Sequence, residues 1–572
     1  MKTTVGKVLL NMVFPEYKGE EMDKKTIKQY FLQQAQKGKE HYSNAILNAK
    51  KIGDEISTLS GMSVGVDDLS PLDHKIDPNK NLFDEQSKSF KRALEHPGAL
   101  PEMVKSGARG AGNHLSAILT APVLAMKHDG TLLPTVVKNN YSKGLKPHEY
   151  FSLAFQTRNE VVESSTGVVE PGDIGKMLIS TMHDQQITEE DCGTSNGIAM
   201  STEDPHIIDR YLAKDIPPYK KNTLITPEVA RDMSRKYKKV IVRSPLTCEA
   251  KYGVCRKCWG LLPGGNLPDV GMNMGFRAAT TLAEPLVQFT LNARHGARFG
   301  ATQAKIGGIK GIKQMLEFPP SFINKAELAN EHETVKSVQK LPTGAHLVTT
   351  DKNEYTIQQG LKPVPVGTKL KPGDPLSDGI PYPPDLVRHK GLGEGRKVLV
   401  DHLHSIYKDA GQDIDKRYFE LLAKNQYRGV RVWDASLKRN GIIPGELVPT
   451  TQLQEALQKD STDKRIENIK EGDILAQPIL HHVAGTKLTN EMIDEIKKMG
   501  YKSVAIYNHR DLPIEHVVKP LEQTPLLHPD ALAKLAYRYL KQTILEAPAY
   551  VSKSTIGGPS PLPTFMVGEP LK

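Results

Sequence analysis

The spacing of apolar residues predicts helices in the first third of the chain. Between residues 20 and 60, in the stretch MDKKTIKQYFLQQAQKGKEHYSNAILNAKKIGDEIS, apolar side chains recur at mixed three- and four-residue spacing. Residues spaced in this way share one face of an α-helix, so the stretch is expected to be helical. The next stretch, GMSVGVDDLSPLDHKIDPNKN, breaks the pattern with Gly, Asp and Pro, and a second helical region is predicted from about Pro147 to Asp184.

A different pattern follows between residues 327 and 378. Short β-branched runs are divided by Gly and Pro in HLVTTDKNEYTIQQGLKPVPVGTKLKPGDPLSDG, which predicts a small antiparallel β unit. Helical spacing returns in GRKVLVDHLHSIYKDAGQDIDKRYFELLAKNQY and near the C-terminus in HPDALAKLAYRYLKQTILEA. The pattern as a whole predicts a multidomain α+β protein.

Length and charge narrow the class of protein. With 572 residues, of which 38% are hydrophobic, the chain is long enough for several domains. Its formal net charge of +10 permits a polyanionic partner, although a solvated basic surface explains the excess equally well. The chain has no uninterrupted apolar run of about 18 residues and no signal-peptide pattern, so a soluble intracellular protein is expected.

The cysteines predict a metal site. Cys248, Cys255 and Cys258 lie within eleven residues in SPLTCEAKYGVCRKCWG, and Cys192 stands in TEEDCGTSNG. A C-x-x-C pair alone is compatible with chance, but a site that uses every cysteine of the chain favours a metal. Four thiolates suit zinc, and four protein ligands leave no open position, so the expected ion is structural.

These cysteine segments resemble a known family. ITEEDCGT followed by VRSPLTCEAKYGVCRKCWG resembles the one-plus-three cysteine zinc site of β′, the largest catalytic subunit of multisubunit RNA polymerases. Further segments resemble β′ in the same order. Residues 150 to 194 are similar to the bridge-helix region, and GMNMGFRAATTLAEPLVQFTLNARHGAR is similar to the first half of the trigger loop. The resemblance covers most of residues 1 to 440 and is faint beyond them.

The resemblance implies a division of the chain into six parts. These are a helical N-terminal segment (1–100), an active-site support loop with a bridge-helix-like region (101–195), a zinc-binding region (192–265), a trigger-loop-like region (266–318), a β-rich jaw-like unit (319–385) and a mixed clamp-like C-terminal region (386–572).

The resemblance also implies a function in which this chain is incomplete. The family holds its catalytic Mg²⁺ with the three aspartates of an N-A-D-F-D-G-D motif, and no such string occurs here. The implied protein is a C-terminal β′-like subunit of a split DNA-dependent RNA polymerase, as in large bacteriophages, inactive alone. Implied partners are an N-terminal β′-like chain with the aspartates, a β-like subunit, a promoter-specificity factor, template DNA, RNA and nucleoside triphosphates, without a membrane. The implied location is the cytoplasm of an infected bacterium, with packaging in the virion as an additional location.

Residues 285 to 296 carry the candidate substrate contacts. Pro285 suits the first turn of a helix and Gly296 suits its end. Between them, four residues spaced i, i+3, i+4 and i+7 share one helix face: Gln288, Leu291, Asn292 and His295. An ordinary helix surface is the plain alternative.

The resemblance gives these four residues their roles. It implies that His295 is catalytic near the β-phosphate of the incoming nucleotide, either as a proton donor or as a positively charged clamp. Leu291 lies under the base, and Gln288 and Asn292 bind substrate. The family often has arginine where this chain has Asn292, which puts phosphate contact from that position in doubt.

The bridge-helix-like region contains the sequence EPGD. Pro171 removes a backbone hydrogen bond and Gly172 adds flexibility, so a kink is expected near residues 168 to 173. Two helices joined by a turn are the alternative. The resemblance implies that nucleic acid and its translocation involve Arg158, Val168, Val169, Pro171 and Gly172.

A second function hypothesis remains open from the sequence. A non-catalytic, zinc-stapled nucleic-acid-binding scaffold would also bind zinc and polyanions. The face from Gln288 to His295 separates the two hypotheses, because a scaffold has no use for it.

Overall fold

A computed structural model gives the fold of the chain. The structure describes residues 4–60, 63–125, 132–166, 168–295, 308–342, 344–508 and 512–527. It consists of two compact units, one formed by Met1–Gly167 with Leu291–Gly300 and the other by Val168–Thr290 with Ala301–Lys572. The multidomain α+β class predicted from the sequence is confirmed. Among the described residues, no helix has both the length and the apolar character needed to cross a membrane.

Unit 1 is built from helices. They are α1 (Val5–Val13), α2 (Lys24–Lys37), α3 (Lys39–Ser60), α4 (Leu82–Ala93), α5 (Ala99–Lys105), α6 (Gly112–Leu119) and α7 (Pro147–Thr166). The predicted helical stretch between residues 20 and 60 is therefore α2 and α3. Gly38 separates them with a φ of 125°, a conformation that favours glycine.

Side-chain caps and aromatic packing define the start of unit 1. The side chains of Thr4 and Asp23 accept hydrogen bonds from backbone N–H groups in the first turns of α1 and α2. Phe14 and Tyr30 are buried between these helices, with ring centroids 5.4 Å apart. Aromatic rings at this distance attract one another beyond the effect of burial alone, so they hold the helices together.

Unit 2 contains the remaining helices. They are α8 (Val169–Met182), α9 (Pro227–Lys236), α10 (Arg256–Trp259), α11 (Met274–His295, which begins in unit 2), α12 (Gly308–Glu317), α13 (Pro383–Asp409), α14 (Lys416–Gln426), α15 (Thr450–Gln458) and α16 (Asn490–Lys498). Its largest core lies among α8, α10, α11, α13 and α14, and includes Leu178, Trp259, Leu282, Leu403 and Phe419.

The strands of unit 2 form several small sheets. They are β1 (Ile198–Ser201), β2 (Lys239–Val242), β3 (Lys325–Ala326), β4 (Glu333–Lys340), β5 (His346–Thr350), β6 (Glu354–Ile357), β7 (Lys369–Leu370), β8 (Ile380–Pro381), β9 (Gly429–Val432), β10 (Glu446–Pro449), β11 (Ser461–Arg465), β12 (Ser503–Tyr507) and β13 (Ile514–Val517). The sheets are β1-β2, β10-β9-β13 and β11-β12, all antiparallel, the parallel pair β3-β8, and the four-stranded β6-β5-β4-β7.

The four-stranded sheet lies where the sequence predicts an antiparallel β unit. β4 pairs with β5 and β7, and β5 pairs with β6, all antiparallel. Val335, Val348 and Ile357 turn inward from three of these strands and are fully or almost fully buried. Buried and exposed positions alternate along these strands, so one face of the sheet packs on a hydrophobic core of its own.

Helix α11 begins earlier than the sequence pattern predicts. It starts at Met274, so Pro285 lies inside the helix and the prediction that it begins there is wrong. Asn273 caps the start, because its Oδ1 accepts a hydrogen bond from Phe276 N at 2.7 Å. Burial of Leu282 and Leu286 on either side of the proline favours one continuous helix. The predicted end, Gly296, lies outside the described residues.

The bridge-helix-like segment consists of two helices. α7 ends at Thr166 and α8 begins at Val169, so the interruption precedes Pro171 instead of falling at it. Pro171 occupies the first turn of α8, where a missing N–H removes no intrahelical bond. Gly172 N donates to Val168 O at 3.2 Å, so residues 169 to 173 are helical and the interruption lies at the edge of the predicted range, in keeping with the alternative of two helices.

Candidate metal centre

Backbone pairing brings Cys192 to the other three cysteines. Arg256 N donates to Glu189 O at 3.0 Å and Lys257 N donates to Glu190 O at 3.3 Å, so the segment before Cys192 runs beside the start of α10. Gly253 makes the turn that leads into Cys255, with a φ of 62°. A Cβ at Gly253 would collide with Gln186 O, so only glycine fits this turn.

The three clustered cysteines form a short knuckle. Cys255 Sγ accepts from Cys258 N at 3.3 Å, and Cys248 Sγ accepts from Cys255 N at the same distance. Such N–H groups stabilise negative charge on sulfur. These N–H groups therefore favour the thiolate forms of Cys248 and Cys255 when the two residues bind a metal.

The four sulfur atoms have the spacing of a tetrahedral metal site. All four lie within 4.8 Å of one another, and none forms a disulfide. Cys192 Sγ lies 3.7 Å from Cys258 Sγ and 3.9 Å from Cys248 Sγ. Four sulfurs around zinc at about 2.3 Å are about 3.8 Å apart, so the residues fit this ion. The predicted convergence of the four cysteines is confirmed.

Arg243 adds a positive charge against the sulfur cluster. Its Nη2 lies 3.3 Å from Cys192 Sγ, 3.5 Å from Cys255 Sγ and 3.4 Å from Cys258 Sγ. Four thiolates around a divalent ion carry two excess negative charges, and a buried guanidinium offsets one of them. Burial opposes the charge of Arg243, but Cys258, together with Asp191, raises its pKa.

Asp191 holds Arg243 in place from the other side. Its Oδ1 lies 2.6 Å from Arg243 Nη1, and its Oδ2 lies 2.9 Å from Lys257 Nζ. Burial would raise the pKa of Asp191, but hydrogen bonds from Gly193 N–H, Lys257 and Arg243 lower it to about 2. The carboxylate is therefore charged at neutral pH and orients the guanidinium toward the sulfurs.

Protons are unevenly shared in the thiol cluster. Hydrogen bonds from the three other cysteines lower the pKa of Cys192, whereas burial raises the pKa of Cys258. The four thiols therefore differ in how readily they lose a proton before metal binds. A divalent ion replaces this arrangement by binding four thiolates and releasing the remaining protons.

Buried polar contacts attach the cysteine region to α14. Arg417 Nη1 donates to the carbonyl oxygens of Trp259 and Leu261 at 2.8 and 2.9 Å. Ser244, four residues before Cys248, donates to Glu420 at 2.6 Å. The metal centre and the helical core of unit 2 therefore form one packed body.

The predicted substrate-binding residues all fall on α11. Gln288, Leu291, Asn292 and His295 belong to its last turns, and their side chains lie outside the described part of the structure. Their neighbour Phe289 is buried, and its ring centroid lies 5.1 Å from that of Tyr407.

The predicted nucleic-acid residues are divided between the two units. Arg158 is an exposed residue of α7 in unit 1, and the other four belong to unit 2. Val168 and Val169 are exposed, Pro171 is buried and Gly172 is exposed.

Sequence reasoning missed the residues that surround the cysteines. Arg243 stands in VRSPLTC, five positions before Cys248, and Asp191 directly precedes Cys192. Their proximity to cysteines in sequence is the available signal. It identifies candidates but not which of them faces sulfur: Lys257, which directly precedes Cys258, places its Nζ against Asp191.

Comparison with known proteins finds similarity to RNA polymerase subunits. Residues 144–362 match the family described as RNA polymerase Rpb1, domain 5. The chain is 24% identical over 553 residues to the DNA-directed RNA polymerase subunit beta' of Moorella thermoacetica, covering 86% of this chain and 47% of that protein. It is 25% identical over 555 residues to the same subunit of Symbiobacterium thermophilum, covering 86% and 46%. It is 29% identical over 374 residues to the same subunit of Caldicellulosiruptor saccharolyticus, and this alignment covers 62% of this chain and 32% of that protein. The chain thus spans about half or less of the length of these relatives.

Proposed function

Because its similarity to β′ over most of its length makes this chain a C-terminal β′-like RNA polymerase segment, we propose that it works as one subunit of a DNA-directed RNA polymerase. The observation that carries the proposal is the extent of the alignment with the Moorella thermoacetica protein. This alignment covers 86% of the chain, so it includes far more than the cysteine segments. The reaction is nucleotidyl transfer: the RNA 3′-hydroxyl attacks the α-phosphate of a nucleoside triphosphate and pyrophosphate leaves.

We propose that the four cysteines bind one structural Zn²⁺. The sulfur spacing and the buried Arg243 support this assignment. With four protein ligands the ion has no open position, so it fastens the segment after α8 to the segment before α11 and takes no part in the chemistry. Zinc bound here would therefore fix the positions of these two segments relative to each other.

α11 is proposed to position the incoming nucleotide. Its first turns are fixed in the core by four buried residues, Ala278, Ala279, Leu282 and Leu286. Tyr407 donates to Leu282 O at 2.7 Å, which supplements the backbone bonding near Pro285. A helix fixed at one end can bring the face from Gln288 to His295 over a triphosphate as the site closes, aligning the reacting atoms.

The catalytic Mg²⁺ is proposed to be held by another chain. Residues 1–572 contain no N-A-D-F-D-G-D string, and in the proposed split arrangement an N-terminal β′-like partner carries these aspartates. A β-like subunit, a specificity factor, template DNA, RNA and nucleotides complete the assembly. We place this split enzyme in the cytoplasm of a bacterium infected by a large bacteriophage, or in the virion.

Purification from the native source tests the proposal. A second chain carrying the aspartate motif should co-purify, and the complex should extend an RNA primer on a DNA template while the isolated chain should not. Robust RNA synthesis by the isolated chain would overturn the split arrangement. Recovery of the chain on nucleic acid without any polymerase partner would overturn the polymerase proposal and favour the scaffold.

A further inference from the structure

Three side chains from distant parts of unit 2 meet away from the cysteines. His206 lies in a short 3₁₀ turn, Pro205–Ile207, His404 lies in α13, and Asp413 lies between α13 and α14. The ligand atoms of the three residues lie within 4.8 Å of one another. The histidine rings meet edge to face, with centroids 4.6 Å apart.

Both histidines present an unsatisfied nitrogen to this point. The Nε2 atoms of His206 and His404 are buried and have no hydrogen-bond partner among the described residues. The side chains are only 10% and 9% exposed. A buried polar atom without a partner is unfavourable and rare, so two that converge on one point indicate a missing ligand.

The distances between the ligand atoms of these three residues suit ligands around a shared metal ion and are too long for direct hydrogen bonds. Asp413 Oδ1 lies 3.5 Å from His206 Nε2 and 3.6 Å from His404 Nε2. Ligands placed tetrahedrally at about 2.0–2.1 Å from a zinc-like ion are about 3.4 Å apart. One carboxylate oxygen therefore lies at coordination spacing from two imidazole nitrogens at once.

We propose that His206, His404 and Asp413 form a second metal site, which binds a divalent transition ion of the zinc and nickel class. Two imidazole nitrogens and one carboxylate oxygen suit these ions better than Mg²⁺ or Ca²⁺, which prefer oxygen ligands. The Asp413 side chain is 64% exposed, so a fourth position opens toward solvent and accepts water or another ligand. The site shares no residue with the cysteine cluster.

Neighbouring charges are compatible with a bound cation. Lys416 lies 2.8 Å from Asp204 and 3.5 Å from Asp401, so its ammonium is neutralised by two carboxylates.

The surrounding contacts preorganise the site. Arg210 Nε donates to His206 O at 2.8 Å and thereby fixes the 3₁₀ turn. The His404 ring packs against Phe419, with ring centroids 5.9 Å apart. An ion bound here would join the region that follows Cys192 to α13 and α14 at a second point.

A second histidine cluster provides a matched control. His481, His482 and Glu495 also lie within 4.8 Å of one another. In this cluster, however, His481 Nε2 already hydrogen-bonds to Glu394 Oε1 at 2.6 Å. The Nε2 of His481 is therefore satisfied without a metal. Only His482 Nε2, which lies 3.7 Å from Glu495 Oε2, lacks a hydrogen-bond partner among the described residues of this cluster, whereas both histidines of the first cluster lack one.

The test is metal binding by the full-length chain with its cysteine site first filled with Zn²⁺. Titration with Co²⁺ or Ni²⁺ should reveal about one further ion per chain, and bound Co²⁺ should lack the intense thiolate charge-transfer absorption. His206→Gln with His404→Gln should abolish this binding, and Asp413→Asn, at an exposed position, should weaken it by roughly tenfold or more. His481→Gln with His482→Gln should leave it unchanged.

Three outcomes would overturn the proposal. They are no second ion at micromolar metal, unchanged affinity in Asp413→Asn, and loss of the second ion only in the His481 and His482 variant. Circular dichroism and thermal melting of each variant separate lost binding from lost folding, and Asp413→Asn decides the question if the double histidine variant fails to fold.

Discussion

Arg210 and Glu420 form a bidentate ion pair in the interior of unit 2. Arg210 Nη1 and Nη2 donate to the two carboxylate oxygens of Glu420 at 2.9 and 2.7 Å, across 210 positions of sequence. Both side chains are almost completely buried. The pair joins the loop before α9 to α14, and so joins the cysteine region to the helical core.

The first prediction concerns the stability that depends on this pair. Glu420→Gln should lower the free energy of unfolding by about 3–5 kcal/mol, because the buried guanidinium loses its bidentate counter-charge and keeps the more distant Asp415 carboxylate at 3.8 Å. Arg210→Met combined with Glu420→Met should cost clearly less, since no charge is then left unpaired. Urea unfolding of the three proteins measures the difference.

An exposed pair is the control for that experiment. Lys220 and Asp215 lie 3.6 Å apart with side chains 83% and 60% exposed, so Lys220→Ala should leave the unfolding midpoint almost unchanged. Equal effects of Glu420→Gln and Lys220→Ala would contradict the role given to the buried pair.

The second prediction is a pH dependence that originates at Glu394. Burial would raise its pKa, but the hydrogen bond to His481 lowers it from 4.5 to about 2. Because the folded-state pKa is the lower one, this contribution to stability is present above about pH 4.5 and is lost as the pH falls toward 2. The free energy of unfolding measured across this range should fall by at most about 3 kcal/mol on account of this residue.

Substitution isolates the contribution of Glu394. Glu394→Gln should flatten the dependence between pH 4.5 and 2, whereas the same change at exposed Glu228 should leave it as in the wild type. An unchanged slope in Glu394→Gln would mean that other carboxylates carry the acid sensitivity.

Local sequence patterns predicted part of this structure and missed contacts between distant segments. The antiparallel β unit and the helices between residues 20 and 60 follow from periodicity that each segment carries by itself. The cysteines could be grouped because the chain has only four and thiolates have few other uses in a cluster.

The failures have physical causes. Pro285 was expected to start a helix because proline suits first turns, but buried Leu282 and Leu286 extend the helix on both sides of it. Arg210 and Glu420 are too far apart in sequence for any local pattern to pair them. Zinc itself and the roles of the α11 residues stay predictions.

The third prediction concerns the cysteine site. The protein should retain about one thiolate-bound zinc, and Cys258→Ser should release it, because three remaining ligands bind far less tightly than four. In cobalt-substituted protein, the intense thiolate-to-Co²⁺ absorption should be present in the wild type and lost in Cys258→Ser. Full metal occupancy in Cys192→Ser would show that a different residue is the fourth ligand.

The fourth prediction separates Arg243 from its neighbour. Arg243→Met keeps much of the side-chain volume but removes the charge that faces three sulfurs, and should speed zinc loss to a chelator by about tenfold to a hundredfold. Lys257→Met is the matched control, because Lys257 also pairs with Asp191 but donates no hydrogen bond to sulfur. Equal rates of zinc loss in the two variants would remove the special role of Arg243.

The last prediction addresses the chemistry proposed for α11. If His295 meets the triphosphate only when the site closes, its contact is stronger in the transition state than in the open complex, and its loss lowers the rate more than the affinity. His295→Ala in the assembled enzyme should slow single-nucleotide addition by roughly tenfold to a thousandfold while template binding hardly changes. Leu291→Ala should slow addition as well, through poorer alignment of the base.

Phe289 is the control on the same helix. Its side chain is 5% exposed and packs on Tyr407, so Phe289→Ala should act through folding, with a loss of about 3–5 kcal/mol in stability. Single-turnover rates, measured on protein shown by melting to be folded, distinguish the two effects. If His295→Ala adds nucleotides at the wild-type rate while folded Phe289→Ala does not, the face from Gln288 to His295 is not the one that meets substrate, and the catalytic role of this helix fails with it.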